Sequence, residues 1–257
     1  LLLRIVAGLS LLSFGCQGST HWLGADFAPD GGDGNDGDAG RDDLERGIYL
    51  SWTFDDPSTT VASDVSGNEH HGELRNVSPS DAAPTAREGN VRGTFFNGTG
   101  STASVTVSDL SPAFTVAFWI KPADLSQAIL LTREDARGSP RLRLSITAEG
   151  ALALDDGQSA VPCADLVHCA LAEQAIARDA WLHVAANVGE DGELRLYLDG
   201  IMAAGAHTDG SAALEGRIVI GAPIGSLLAG VRGVLDELVV YGRVLSDGEI
   251  SALAARN

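Results

Sequence analysis

The acidic pair Asp236 and Glu237, in the stretch GVLDELVVYG, is the first place to look for chemistry. Hydrolysis of a glycosidic bond takes two carboxyl groups converging on one cleft, about 5–5.5 Å apart for a retaining mechanism. Extended backbone sends neighbouring side chains to opposite faces. Regular alternation therefore separates the pair: Asp236 goes with Val234, Leu238 and Val240, and Glu237 with Leu235, Val239 and Tyr241. Asp155 and Asp156 precede Gly157 at a strand end, where a turn accounts for them. His183, in WLHVAANV, alternates with aliphatic residues and reads as a structural strand histidine. The chain has no GxSxG elbow, no HExxH zinc motif and no phosphate-binding glycine loop. These patterns predict a protein that is not an enzyme.

The same residues bear on metals and ligands. The strand VLDELVVY is apolar on both faces, and an unpaired buried carboxylate costs several kcal/mol, so at least one acid must meet an arginine, backbone N–H groups or a metal. Asp55 in FDD and Asp64 in SDVSGN add hard oxygen donors of the kind Ca2+ prefers. The expectation is a structural calcium site built by Asp236 with Asp55 or Asp64, the alternative being hydrogen-bonded turn residues. An EF-hand is excluded, because counting from Asp33 the twelfth residue is Leu44 where a Glu is required. Sugar recognition favours exposed aromatic faces beside polar groups. Trp119, opposite the apolar face of its strand, is the first candidate for ligand binding, and Tyr197, alternating with Arg195 and Asp199, is the second.

From residue 48 onward, short alternating runs separated by Gly, Asp, Asn and Pro must position these groups. FTVAFWIKP places Phe114, Val116, Phe118 and Ile120 on one face, and WLHVAANV does the same with Leu182, Val184, Ala186 and Val188. Asp191–Gly192 and Asp199–Gly200 mark turns of consecutive hairpins. Many strands with almost no long helical pattern predict an all-β, two-sheet antiparallel sandwich. Ser246, three residues before Glu249, predicts a capping box opening one short C-terminal helix.

Taken in order, YLSWTFDD, DVSGNEHHGEL, GTFFNGTG, FTVAFWIKP, WLHVAANV, ELRLYLDG, VIG and GVLDELVVYGRVLSDGEI resemble a laminin-G-like domain of the concanavalin A-like jelly-roll superfamily, over residues 48–257. The resemblance implies a jelly-roll sandwich and a glycan or protein ligand more often than catalysis. Calcium sites occur in such relatives, but their ligands do not map cleanly onto Asp55, Asp64 and Asp236.

Upstream, Arg4 precedes an apolar run from Ile5 to Phe14, too short to span a bilayer and fitting a secretory signal over residues 1–15. The segment resembles a bacterial lipoprotein signal, which makes Cys16 the lipidated residue and places the protein on the outer membrane or cell surface. The alternative is a signal simply cleaved, leaving the protein periplasmic or secreted. Residues 16–47, rich in Asp and Gly, read as an acidic flexible tether. The remaining cysteines, Cys163 and Cys169, predict a disulfide in an exported protein. A formal charge of −18 argues against nucleic acid. The combined expectation is an exported, lipid-anchored module that recognises a glycan or an envelope protein noncovalently. The alternatives are a structural or adhesive surface protein and, least favoured, a glycan-active enzyme.

Overall fold

The computed structural model describes residues 44–256 apart from 86–87, 165, 209–214 and 223–225. The signal segment 1–15, the lipidation candidate Cys16 and the tether as far as residue 43 lie outside the described residues.

Two antiparallel sheets form the expected sandwich. The first runs in the order β14 (Ile201–His207), β13 (Glu193–Leu198), β12 (Leu182–Val188), β7 (Phe114–Pro122), β16 (Arg232–Tyr241), β5 (Gly93–Asn97) and β4 (Val77–Ser80), with β1 (Ile48–Trp52) also pairing with β16. The second runs β11 (Cys169–Ala175), β10 (Ala151–Asp155), β9 (Pro140–Ile146), β8 (Ala128–Asp135), β15 (Gly216–Gly221), β6 (Thr102–Val107), β3 (Gly72–Arg75) and β2 (Val61–Ala62).

Pleat alternation explains which residues lie between the sheets. Phe114, Val116, Phe118 and Ile120 from β7 meet Val184, Ala186 and Val188 from β12 in one continuous apolar core. Leu142, Leu144 and Ile146 from β9 close it from the second sheet. Burying each such side chain contributes about 1.5–3 kcal/mol. Trp52 is wholly buried and lies against Gly72, where a Cβ would sit 2.5 Å from the indole. That position on β3 therefore requires glycine. The β13–β14 turn has Asp199 and Gly200 both at positive φ, +48° and +79°, the backbone of a tight hairpin whose twist matches its strands.

A second apolar cluster lies outside the first sheet. Ala117, Ala185, Tyr197, Val239 and Tyr241 are covered by Leu245, Ile250 and Leu253 of the C-terminal helix and the residues leading into it. The helix, Asp247–Ala254, opens with the expected capping box: Ser246 and Glu249 satisfy each other's backbone N–H groups. Leu44 belongs to this cluster, 2% exposed, and its carbonyl accepts a hydrogen bond from the Tyr241 hydroxyl at 2.9 Å. Residues 44–47, assigned to the tether by composition, are thus the start of the packed unit.

Candidate functional site

The sequence-derived candidates gather only in part, on the outer side of the first sheet. There Asp236, Trp119 and His183 are direct cross-strand neighbours on β16, β7 and β12. The Trp119 and His183 rings meet edge to face, 5.3 Å between centroids. His183 is 2% exposed, and burial lowers its imidazole to about 4, so it is neutral near pH 7. Its Nδ1 is buried without a hydrogen-bond partner, which fits a packed strand histidine rather than a solvated base.

Regular alternation fails at the acidic pair. The β16–β7 register shifts between Asp236 and Val239, and Glu237 adopts φ +49°, the signature of a β-bulge with one extra residue. Beyond the bulge Leu238 and Val240 turn into the core and Val239 and Tyr241 turn outward, so Leu238 and Val240 do not share a side with Val234. Nor do the two acids diverge. Glu237 joins Trp119, His183 and Tyr241 in a small cleft of about 70 Å3, and Asp236 pairs in register with Trp119 on that same side. The Asp236 carboxyl has no exposed surface. It accepts hydrogen bonds from the Asn90 amide at 2.9 Å and the Glu237 N–H at 2.9 Å. Burial pushes it up to about 8, the Asn90 hydrogen bond opposing and the charges of Glu237 and Asp55 adding. It is held as a neutral acid at pH 7.

The three acids proposed for calcium are each engaged by neighbouring donors. Both Asp64 oxygens are occupied by donors from β1 and from their own loop: the Ser51 and Ser66 N–H groups on Oδ1, and the Ser66 hydroxyl and His70 N–H on Oδ2, at 2.8–3.0 Å. Burial alone would raise this carboxyl, but the four hydrogen bonds hold it below its usual range. Asp55 accepts the Val91 N–H at 3.2 Å, and Asp236 accepts from Asn90 and the Glu237 N–H, each at 2.9 Å. Among the described residues, no three His, Cys, Asp or Glu side chains gather as metal ligands would. Tyr197 presents no ring face either. It is wholly buried, its hydroxyl donating to Asp247 at 2.7 Å beneath the C-terminal helix. The tyrosine reads as outward-facing in the strand pattern because what covers it lies about fifty residues away in sequence.

A larger depression lies on the outer face of the second sheet, away from the ligand candidates Trp119 and Tyr197. One row of side chains crosses it by register: Asp155 on β10, Arg143 on β9, Thr132 on β8, Val219 on β15 and Ser104 on β6. A neighbouring row holds Glu134 opposite Arg217 opposite Thr106. Ser145 continues the polar positions along β9. Over this floor lies a groove of about 350 Å3, walled by Ile129 and Pro140, by residues 157–160 and by residues 226–228.

The wall at 157–160 is held by a buried ion pair. Arg143 Nη2 reaches Asp155 Oδ2 at 3.0 Å, and both side chains are about 6% exposed. Arg143 Nη1 donates to the Ser159 carbonyl at 2.9 Å. Asp155 also accepts the Gly157 and Cys163 N–H groups at 2.8 and 3.0 Å. The predicted disulfide is present, Cys163 bonded to Cys169 with Cα atoms 5.3 Å apart, and it ties the loop back to β11. Asp155 thus does more than turn the chain: it organises the loop beside the groove.

Among the described residues, two buried hydroxyl groups on this face lack partners, and a third side chain, Glu134, takes no hydrogen bond. Glu134 lines the groove, is 5% exposed, and has a carboxylate to which no group among the described residues donates. Burial raises this carboxyl, while the Arg217 charge opposes. Thr132 Oγ1 and Ser145 Oγ are buried without partners. The sequence signal was available: in RLRLSIT, TRED and GRIVIG the residues alternating with the core hydrophobics include Arg143, Ser145, Thr132, Glu134 and Arg217. Polar alternation alone reads as a solvated strand face, and only the loops folded over it turn it into a groove.

The profile of the Concanavalin A-like lectin/glucanases superfamily matches residues 97–251. No curated protein sequence matches the chain. Among solved structures, domain 4 of an extracellular arabinanase from Geobacillus stearothermophilus, in complex with arabinotriose, is 17% identical with a TM-score of 0.60, over 80% of this chain and 98% of that one. Trypanosoma rangeli sialidase is 18% identical with a TM-score of 0.61, over 81% of this chain but 32% of that one. The receptor binding domain of botulinum neurotoxin D is 14% identical with a TM-score of 0.57, over 82% and 53%. This chain therefore spans about a third of the sialidase and about half of the toxin domain. Identities this low speak to the fold and not to activity. The profile covers more than half of the chain and takes in strands of both sheets, and on that ground the chain belongs to the concanavalin A-like lectin/glucanases superfamily.

Proposed function

We propose that this protein is a noncatalytic binding module that recognises a glycan in the groove on the outer face of its second sheet. The observation that carries this reading is the groove itself: about 350 Å3, with walls that include Ile129, Pro140, Leu227 and Leu228 and a floor carrying Glu134 and the buried, unpartnered Thr132 hydroxyl. Small-ligand sites combine these features, an apolar enclosure with a few convergent polar groups that fix orientation. Buried polar atoms normally find partners, so unsatisfied ones lining a groove point to a ligand or solvent that completes them. The fold relative solved with arabinotriose is a sugar-bound domain of the same architecture and supports a glycan over other ligands.

A noncatalytic role is supported by the carboxylate count. Among the described residues lining the groove, Glu134 is the sole carboxylate, whereas glycoside hydrolysis ordinarily employs two. The other acidic pair, Asp236 and Glu237, borders a cleft of about 70 Å3 in which Asp236 has no exposed surface. Export and surface anchoring through Cys16 complete the proposal, the acidic tether giving the module reach. They rest on the signal-like apolar run and the cysteine that follows it.

The test is an oligosaccharide binding screen on the intact chain and on Ala160→Trp, which places an indole in the groove from an exposed loop position. Expected is saturable binding to at least one oligosaccharide, weakened at least tenfold in the variant at unchanged melting temperature. Equal binding by both proteins removes the groove as the site. Chromatographic detection of released sugar would overturn the noncatalytic reading.

A further inference from the structure

We infer that the groove selects uncharged sugars and that Glu134 is the specificity-determining residue, its carboxylate accepting hydrogen bonds from ligand hydroxyl groups. The inference rests on the groove being the ligand site and adds the chemical class of the ligand.

The argument is an inventory of what the groove can offer. Cations come first, because an anionic sugar needs one. Arg143 lines the groove, but its Nε and Nη2 are donated to Asp155 and its Nη1 to the Ser159 carbonyl. Its charge is already matched by Asp155 in the buried ion pair, so it offers an anionic ligand no uncompensated positive charge. Arg217 lies across the strand pair from Glu134 but opens onto a different depression, and its Nη2 donates to the Ser104 hydroxyl at 2.9 Å. Among the described lining residues, no other cation is present. A uronate or sialate carboxylate entering the groove would thus meet Glu134 and gain no countercharge.

Acceptors come next. Glu134, a residue 5% exposed overall, lines the groove, and its carboxylate takes no hydrogen bond from the described residues. A groove-lining carboxylate without protein donors can accept charge-assisted hydrogen bonds from ligand hydroxyls. An ammonium group is the other donor that could serve. The charge of Arg217 opposes it and that of Asp135 favours it, so the chitosan trimer in the experiment below tests it directly. Thr132 Oγ1, buried in the floor and unpartnered, adds a hydroxyl able both to donate and to accept, which matches another hydroxyl better than an ion. The walls supply Ile129, Pro140, Leu227 and Leu228 for the C–H face of a sugar ring. Leu227 is 89% exposed, so a ligand covering it would also bury apolar surface.

The experiment titrates three trisaccharides of similar size, neutral xylotriose, anionic trigalacturonic acid and cationic chitosan trimer, into the intact chain, Glu134→Gln, Glu134→Ala and Ala160→Trp. Expected is binding of xylotriose at least tenfold tighter than of trigalacturonic acid. Glu134→Ala should weaken xylotriose at least tenfold, and Glu134→Gln should narrow the gap between neutral and anionic ligands, since it removes the charge and keeps an acceptor. Circular dichroism of each variant separates lost binding from lost fold. Preference for trigalacturonic acid or chitosan trimer, with that binding blocked by Ala160→Trp, overturns the sugar class while leaving the groove as the site. Absence of binding by all three, or binding indifferent to Ala160→Trp, overturns both.

Discussion

Asp236 shows how one side chain can matter to the whole without touching solvent. Its carboxyl is neutral up to about pH 8 in the folded protein, whereas in the unfolded chain it ionises near its ordinary value of 3.8. The contribution of this group to stability is therefore fully present below pH 4 and is lost as pH rises towards 8. His183 runs the other way, its contribution present above 6.5 and declining as pH falls towards 4. Between pH 6.5 and 8 the aspartate term dominates and the histidine term is common to both proteins, so the intact chain should lose about 2 kcal/mol more than Asp236→Asn across that window, by urea denaturation. Parallel pH dependence of the two proteins would show that Asp236 is ionised in the fold. Aliphatic neighbours in VLDELVVY announced a buried acid; that Asn90, 146 positions away, would be its partner was beyond any local pattern.

At the level of elements, the short C-terminal helix and the β16 bulge illustrate opposite degrees of legibility. Ser246 and Glu249 are three residues apart, and a capping box is a local reciprocal hydrogen-bond pair, so four residues suffice to specify it. The helix then covers Tyr197 and Tyr241 with Ile250 and Leu253. Ser246→Ala should cost about 1 kcal/mol by chemical denaturation, the usual loss of an N-cap. A change within a few tenths of that from zero would mean packing alone holds the helix start. The bulge has no such local signature. Glu237 at positive φ is specified by the pairing of β16 with two neighbours at once, β7 on one side and β1 on the other, which both require Leu238 inward and Val239 outward. Strict alternation through LDELVV places Leu235 and Leu238 on opposite sides, and both lie in the core.

At the scale of the whole molecule, the proposal joins an anchor, a tether and a sandwich. Labelling cells with a radioactive fatty acid should mark the intact protein and leave Cys16→Ala unlabelled; equal label in both removes the lipid anchor. What the sequence determined by itself is the class of the fold: period-two hydrophobicity, turn residues and the Ser246 capping box are all short-range, so the two-sheet sandwich and its closing helix follow from them. The Cys163–Cys169 bridge was equally legible, six residues apart. What only the tertiary structure decided is which polar strand face carries a groove. Trp119 and Tyr197 look alike along their strands, yet a helix some fifty residues downstream buries the tyrosine. Arg143, Thr132 and Glu134 look like solvated strand positions until the loops at 157–160 and 226–228 fold across them. Exposure depends on what the rest of the chain places over a residue, and that placement arises from contacts between segments far apart in sequence.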